Sequence, residues 1–286
     1  MAKKREFFSW QVSSDKVRLL SFLKEKIKNN CSNKALKKAL EQGFCQVNGK
    51  IERFSSVLLH ENDRVLLDKN YLKTADEQDK KEFTVLYDDD DLLVCNKPYG
   101  VVCFEENIRR YFPNSFLVHR LDKQTSGAII LAKSKKIKDL FIQQFKEKKV
   151  KKIYVALVDG KVKYDKKEIK SYLYPKVKYQ GQTLYASSKN KQGVFAHSII
   201  EKIFSKDTYS KVSVEIVTGR THQIRVHLKE DSHPVLGDYQ YSKSFKYPYH
   251  VSRIMLHSYK VEFNHPVTGK LIKVTAPLCS SFKGVM

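Results

Sequence analysis

The chain has 286 residues and a mass of 33.3 kDa, length for about two domains at roughly 150 residues each. Hydrophobic residues make up 41%, with 16 Phe and 16 Tyr, which excludes a wholly disordered chain. Against 54 Lys and Arg stand 31 Asp and Glu, a net charge of +23 that points to a polyanionic partner, nucleic acid first.

No stretch approaches the roughly 18 apolar residues of a membrane helix. The N-terminal MAKKREFFSWQVSSDK is charged but has no apolar h-region, so no signal peptide and no membrane partner are expected. Cysteines 31, 45, 95, 103 and 279 are odd in number and form no C-x-x-C. They read as reduced thiols of a cytoplasmic protein, with no zinc knuckle.

Residues 1–15 read as an N-terminal arm. From Val17, VRLLSFLKEKIKN places Val17, Leu20, Leu23 and Ile27 near one helical face. A second helix, KALKKALEQG, has Ser32 or Asn33 as cap, and Gly43 ends it in the left-handed conformation. CQVNGKIE is a hairpin about Asn48-Gly49, and SSVLLHENDRVLL reads as a further strand pair. Between Lys16 and Arg53 ten residues are basic and three acidic. NYLKTADEQDKKE has no apolar periodicity and reads as a linker over 71–82.

Beyond it come strands at FTVLY, LLVCNK, FLVH, GAIILAK, KIYVALVDG, VSVEIVTG and YKVEFNH, with a helix over Lys135 to Lys148. The pattern predicts a mixed α+β domain with a strand-rich core over 83–286. Asp88 to Asp91 are four adjacent carboxylates that face different ways, so they read as a solvated turn. From Lys133 to Lys152 nine lysines face two acids, a run readable as a solvated face or as an RNA-facing surface.

The stretch HRLDKQTSGAIILAKS, His119 to Ser134, places one aspartate beside an arginine between two apolar runs. On spacing alone such a carboxylate is more often half of a structural ion pair than a catalyst. Thr125-Ser126-Gly127 supplies small residues that let another chain approach closely. His222 and His227 lie five apart, off the one-face spacing of H-E-x-x-H, and no third ligand is evident, so no metal is expected.

H-R-L-D-x-x-T-S-G resembles the signature of the RluA-type RNA pseudouridine synthases. The companion blocks follow in order: NKPYG (Asn96 to Gly100), KKIYVALVDG (Lys151 to Gly160), TGRTHQIRVHL (Thr218 to Leu228), GDYQY (Gly237 to Tyr241), LHSYKVEFNHPVTG ending at Gly269, and TAPL (Thr275 to Leu278). Residues 16–70, helix, basic helix, V-N-G-K hairpin and D-x-V strand, resemble the small α/β RNA-binding domain named after ribosomal protein S-four. Two places depart from the family pattern: the segment between Gly160 and Ile199, and Ser258, where alanine is common.

The resemblance implies a mainly antiparallel catalytic sheet and an isomerase that moves uracil from its nitrogen to its carbon-five linkage on the ribose, without cofactor or metal. It implies Asp122 as the ionised carboxylate at the anomeric carbon, Arg225 as its fixed cation, and Tyr154 as the residue stacked on the base and a candidate general base. Arg120 matches the arginine that fills the space of the flipped uridine, Lys97 is expected at a phosphate or holding its loop, and Leu228 in the pocket. Lys34, Lys37 and Lys38 are expected to face RNA phosphates. Whether Arg120 and Asp122 share a face depends on the backbone at Leu121. Large-subunit ribosomal RNA is the favoured substrate, transfer RNA the alternative, and a monomer the default. The rival function is an RNA-binding assembly factor without catalysis.

Overall fold

The computed structural model describes residues 6–28, 31–69, 82–179, 182–242, 244–248, 251 and 253–283. It divides into two compact units, Met1–Lys80 and Lys81–Met286. The linker expected over 71–82 lies outside the described residues except for its last position.

The first unit sets two helices, α1 (Leu19–Lys26) and α2 (Asn33–Glu41), on a small antiparallel sheet. That sheet runs in the order β1 (Phe7–Gln11), β6 (Arg64–Asp68), β3 (Cys45–Val47), β4 (Lys50–Ile51). The stretch read as an arm thus contributes a strand, because Trp10 packs edge-on against Phe22 of the core. Val17–Arg18 forms a short strand, β2, rather than the first turn of α1, and it pairs with β5 (Leu58–Leu59). The second strand pair read over 55–67 therefore separates: β5 joins β2, and β6 joins β1 and β3. Ser32 caps α2 by accepting from Ala35 N at 3.2 Å. Asn48 and Gly49 both take positive φ, 51° and 76°, as a two-residue hairpin turn requires. Leu19, Phe22 and Leu23 of α1 and Leu36, Ala39 and Leu40 of α2 bury against Cys45, Val65 and Leu67.

The second unit is one sheet, eleven-stranded among the described residues. Its strands in chain order are β7 (Thr84–Asp88), β8 (Leu92–Lys97), β9 (Phe116–Leu117), β10 (Ser126–Ala132), β11 (Lys151–Asp159), β12 (Lys166–Tyr179), β13 (Gln182–Ser188), β14 (Val194–Ser205), β15 (Tyr209–Ile216), β16 (Leu256–Asn264) and β17 (Leu271–Thr275). The spatial order is β13-β12-β14-β15-β11-β16-β10-β8-β7, with β17 on β16 and β9 on β10. All pairings are antiparallel except β10 with β16. The segment that departs from the family pattern builds β12 and β13, which extend one end of the sheet. Helices α3 (Glu105–Arg109), α4 (Lys135–Lys146), α5 (Gln223–Glu230) and α6 (Ser280–Lys283) complete the unit.

Both faces of the central strands are buried, so they read as near-continuous apolar runs. Leu92, Val94, Ala128 and Ile130 join Ile137 and Phe141 of α4 in one core; Leu93, Cys95, Ile129 and Leu131 join the other. Gly127 lets β10 lie against β16: at φ 112°, a Cβ there would stand 2.2 Å from Ser258 O. The aspartate run is the β7–β8 turn, closed by Asp89 accepting from Asp91 N and Leu92 N.

Candidate active site

Asp122 sits on a loop before β10, not on a strand. Leu121 is buried and anchors it, while Arg120 is exposed, Asp122 is half-buried, and both border the same cavity. Thr125 N donates to Asp122 O at 3.0 Å, closing a turn just after the aspartate. Lys97 ties this loop to its neighbour. Its ammonium is fully buried and donates to Pro98 O and Val101 O at 3.0 Å and to Lys123 O at 3.5 Å. Of the two expectations for Lys97, the RNA phosphate is corrected and the holding of its loop is what the packing provides: three carbonyls take its protons, and no solvent reaches it. Burial pushes its pKa down to about 8.

The cation opposite Asp122 comes from α5. Thr218 donates to Gln223 Oε1 at 2.7 Å, and Gln223 Nε2 donates to His197 O at 2.9 Å, fixing the start of the helix against β14. One turn in, Arg225 is 3% exposed. Its Nε and Nη2 donate to the two oxygens of Asp238 at 2.6 and 2.8 Å, and Nη2 also reaches Gln240. The remaining Nη1 lies 3.6 Å from Asp122 Oδ2. The guanidinium also sits over the Tyr241 ring at 4.9 Å. Burial opposes its charge, but Asp238 and then Asp122 hold the guanidinium firmly protonated.

His222 precedes α5 at φ 57° and lies 3.9 Å from Asp122 Oδ2 through Nε2, with Nδ1 on Tyr241 Oη at 2.8 Å. It occupies the cap position, yet its side chain makes no capping bond. Burial and then Arg225 push its pKa down to about 4, so it is neutral near pH 7. His227 turns into the core between Ser171 Oγ and Ser198 Oγ. Among the described residues no group of three or more His, Cys, Asp and Glu is placed to hold a metal ion.

Asp122, Arg120, Tyr154 and Arg225 all line one cavity of about 810 Å³. Among the described residues Asp122 is its single acidic lining residue, against the cations Arg120, Lys123, Lys146, Lys148, Lys152, Arg220 and Arg225. Tyr154 projects from β11, 6% exposed, and burial raises its phenol pKa well above the ordinary value. Near pH 7 it is therefore a neutral ring, suited to stacking on a base. Leu228 is placed otherwise than expected. One turn beyond Arg225 on α5, it is fully buried in the core and is not among the residues lining the cavity.

A cavity with one carboxylate, a fixed guanidinium and a buried aromatic ring, rimmed by cations, suits a polyanion that inserts a base. A family profile described as RNA pseudouridylate synthase matches residues 91–230, the span that carries Asp122, Tyr154 and Arg225. The chain is 36% identical to the ribosomal large subunit pseudouridine synthase C of Buchnera aphidicola subsp. Baizongia pistaciae, over 71% of this chain and 69% of that protein. The chain belongs to the RNA pseudouridylate synthase family. It is thus an isomerase acting on RNA. A relative from Aquifex aeolicus, described as an uncharacterized RNA pseudouridine synthase, is 29% identical over 98% of this chain and 96% of its own length. The human RNA pseudouridylate synthase domain containing 1 superposes with TM-score 0.58 at 27% identity, covering 69% of this chain and 84% of that one.

Three parts of this synthase site escape a linear reading of the sequence. Asp238 lies inside the GDYQY block, but nothing local marks it as the partner of a residue thirteen positions away. Tyr241 and His222 are joined across a similar gap. Lys152 stands in a run of lysines, where only the alternation of a strand separates it from Lys151. Lys34 and Lys37 are exposed on α2 and Lys38 is half-buried.

Proposed function

We propose that this synthase isomerises uridines of large-subunit ribosomal RNA, with Asp122 as its essential carboxylate. The observation that carries the reading is the placement of Asp122, the single acid of the cavity, within 3.6 Å of a buried arginine that another carboxylate already holds in position. Asp238 takes two nitrogens of the guanidinium and leaves the third for Asp122. Asp122 thereby meets a cation that cannot deprotonate and cannot swing away. A carboxylate held in this way stays charged when a base closes over it, which is what attack at the anomeric carbon requires.

The reaction breaks the bond from the ribose C1′ to uracil N1, turns the base, and forms a bond from C1′ to C5; the C5 proton leaves to solvent and N1 takes one up, so the product is an isomer of the substrate. Negative charge builds on the departing uracil, and the surrounding cations stabilise it. Tyr154 holds the base by its face. Arg120, at the exposed edge of the same loop, takes the space the uridine leaves in the RNA, offsetting an unstacking cost of a few kcal/mol.

Ribosomal RNA is favoured because curated relatives such as those from Buchnera aphidicola and Pasteurella multocida bear the name ribosomal large subunit pseudouridine synthase C. The first unit acts as an RNA-binding module of the type named after ribosomal protein S-four, with Lys34 and Lys37 of α2 toward phosphates. The setting is the cytoplasm, where the five free thiols stay reduced.

The test is carbodiimide modification and primer extension on total RNA from cells with and without this gene. Loss of stops from large-subunit ribosomal RNA supports the reading. Loss from transfer RNA alone overturns the substrate, and no loss in any RNA favours a binding protein without catalysis.

A further inference from the structure

Among the described residues of the second unit four lysine or arginine side chains are buried: Lys97, Lys152, Arg225 and Arg253. Three of them have polar partners. Lys97 has its carbonyls, Arg225 has Asp238, and Arg253 donates to Ser126 Oγ at 2.7 Å and to Leu256 O. Lys152 differs. It is 9% exposed, and among the described residues its ammonium makes no hydrogen bond and no ion pair. Its neighbour in the chain, Lys151, faces the other way and pairs with Glu215 at 2.9 Å.

The surroundings of Lys152 are apolar or cationic. Its Nζ lies over the Phe145 ring at 4.9 Å, and Phe145 in turn packs against His119 at 5.3 Å. His119 offers no negative charge: its Nε2 accepts from Ile130 N. The backbone of the 218–221 loop comes close to Nζ, near enough that a Cβ on Gly219 would stand 3.5 Å away. Lys146, Lys148 and Arg220 line the same cavity, and Glu147, the nearest acid in the chain, is tied to Lys149 and Gln143. An unpaired ammonium in such a place is costly to the fold, and burial pushes its pKa down to about 8 with no carboxylate to hold it up. What is missing is an anion.

We propose that Lys152 forms the floor of a phosphate subsite, receiving a backbone phosphate of the RNA nucleotide bound over Tyr154. The position selects this source. Lys152 and Tyr154 are two residues apart on β11, roughly 6.6 Å along the strand, and both line the cavity. A base stacked on Tyr154 has its own sugar-phosphate backbone one ribose away, within the cavity that Lys152, Lys146 and Lys148 also line. The cavity thus offers the carboxylate of Asp122 for the ribose and the ammonium of Lys152 for the phosphate. This subsite rests on the pseudouridine synthase reading, and its test separates the two.

The substitutions are Lys152→Met, which keeps the stem and deletes the charge, and Lys152→Arg. Binding of an unmodified large-subunit ribosomal RNA transcript is measured across a salt series, with pseudouridine formation and thermal unfolding alongside. The expected result for K152M is a slope of log affinity against log salt that is shallower by about 1, with a several-fold rise in KM that exceeds any fall in kcat. K152R retains the wild-type slope. The melting temperature of K152M stays level or rises, since an apolar side chain replaces an unpaired buried charge. A wild-type slope in K152M overturns the subsite, as does a fall in melting temperature without any change in slope. A wild-type protein that binds RNA but forms no pseudouridine contradicts the catalytic reading, while the slope still decides the subsite.

Discussion

Asp238 and Asp122 both reach Arg225, but the structure assigns them opposite consequences. Asp238 is fully buried and meets the 3%-exposed guanidinium through two hydrogen bonds of 2.6 and 2.8 Å. Substituting Asp238→Asn removes the charge at constant shape and leaves Arg225 buried without its main counter-ion. Breaking one partner of such a pair destabilises by about 3–5 kcal/mol. The Asn carbonyl keeps one hydrogen bond, which places the loss near the lower end. In a unit of about 200 residues, each kcal/mol shifts the melting temperature by about 2–4 °C, so D238N should melt about 6–12 °C lower. Asp122 is 29% exposed and stands 3.6 Å off, so its pair contributes no more than about 1 kcal/mol. D122N should melt within about 4 °C of wild type. The assay is thermal unfolding followed by circular dichroism on the wild type and both variants. If D238N melts with wild type, or if the two variants fall together, the division of labour around Arg225 is refuted.

Removing the Tyr154 hydroxyl as Tyr154→Phe preserves a stacking ring, so RNA affinity should hold while product formation slows by about 10²–10⁴ if the phenol takes part in proton transfer; an unslowed Y154F restricts the residue to stacking. Burial pushes His222, His227 and His257 down to about 4 and His119 to about 3, so the folded state holds them neutral while the unfolded chain protonates them below about 6.5. Stability is therefore full above pH 6.5 and falls toward pH 4, by about 1–2 kcal/mol per histidine at pH 5. A urea midpoint equal at pH 7.5 and pH 5 would contradict that burial. Lys34→Gln with Lys37→Gln should make the salt slope of RNA binding shallower by about 2, with the rate on bound RNA unchanged; an unchanged slope would remove α2 from the RNA interface.

Local signals were legible where a few adjacent residues decide the outcome. Asn48-Gly49 makes its turn, Ser32 caps its helix, and the spacing of Ile137 and Phe141 places α4 on the core. The catalytic blocks were legible because their order along the chain is itself a pattern. The first turn of α1 was not, since Val17–Arg18 is drawn into a strand by Leu58–Leu59, forty residues away. Nor was the β12–β13 extension, whose first strand carries five lysines and whose second, QTLYASS, is short and mostly polar. Lys97 shows the limit most plainly. A lysine beside a turn reads either as a phosphate contact or as the tie of its loop, and only the folded packing, with three carbonyls closing around it, decides for the second.

The central claim is that Asp122 carries out the isomerisation in a site that Arg225 and Asp238 build. The most direct measurement is single-turnover release of tritium from RNA labelled at uracil C5, comparing wild-type protein with D122N at saturating enzyme. The account predicts release by the wild type and none above background for D122N, with RNA affinity for the two proteins nearly equal. Release by D122N at a rate near wild type would contradict it.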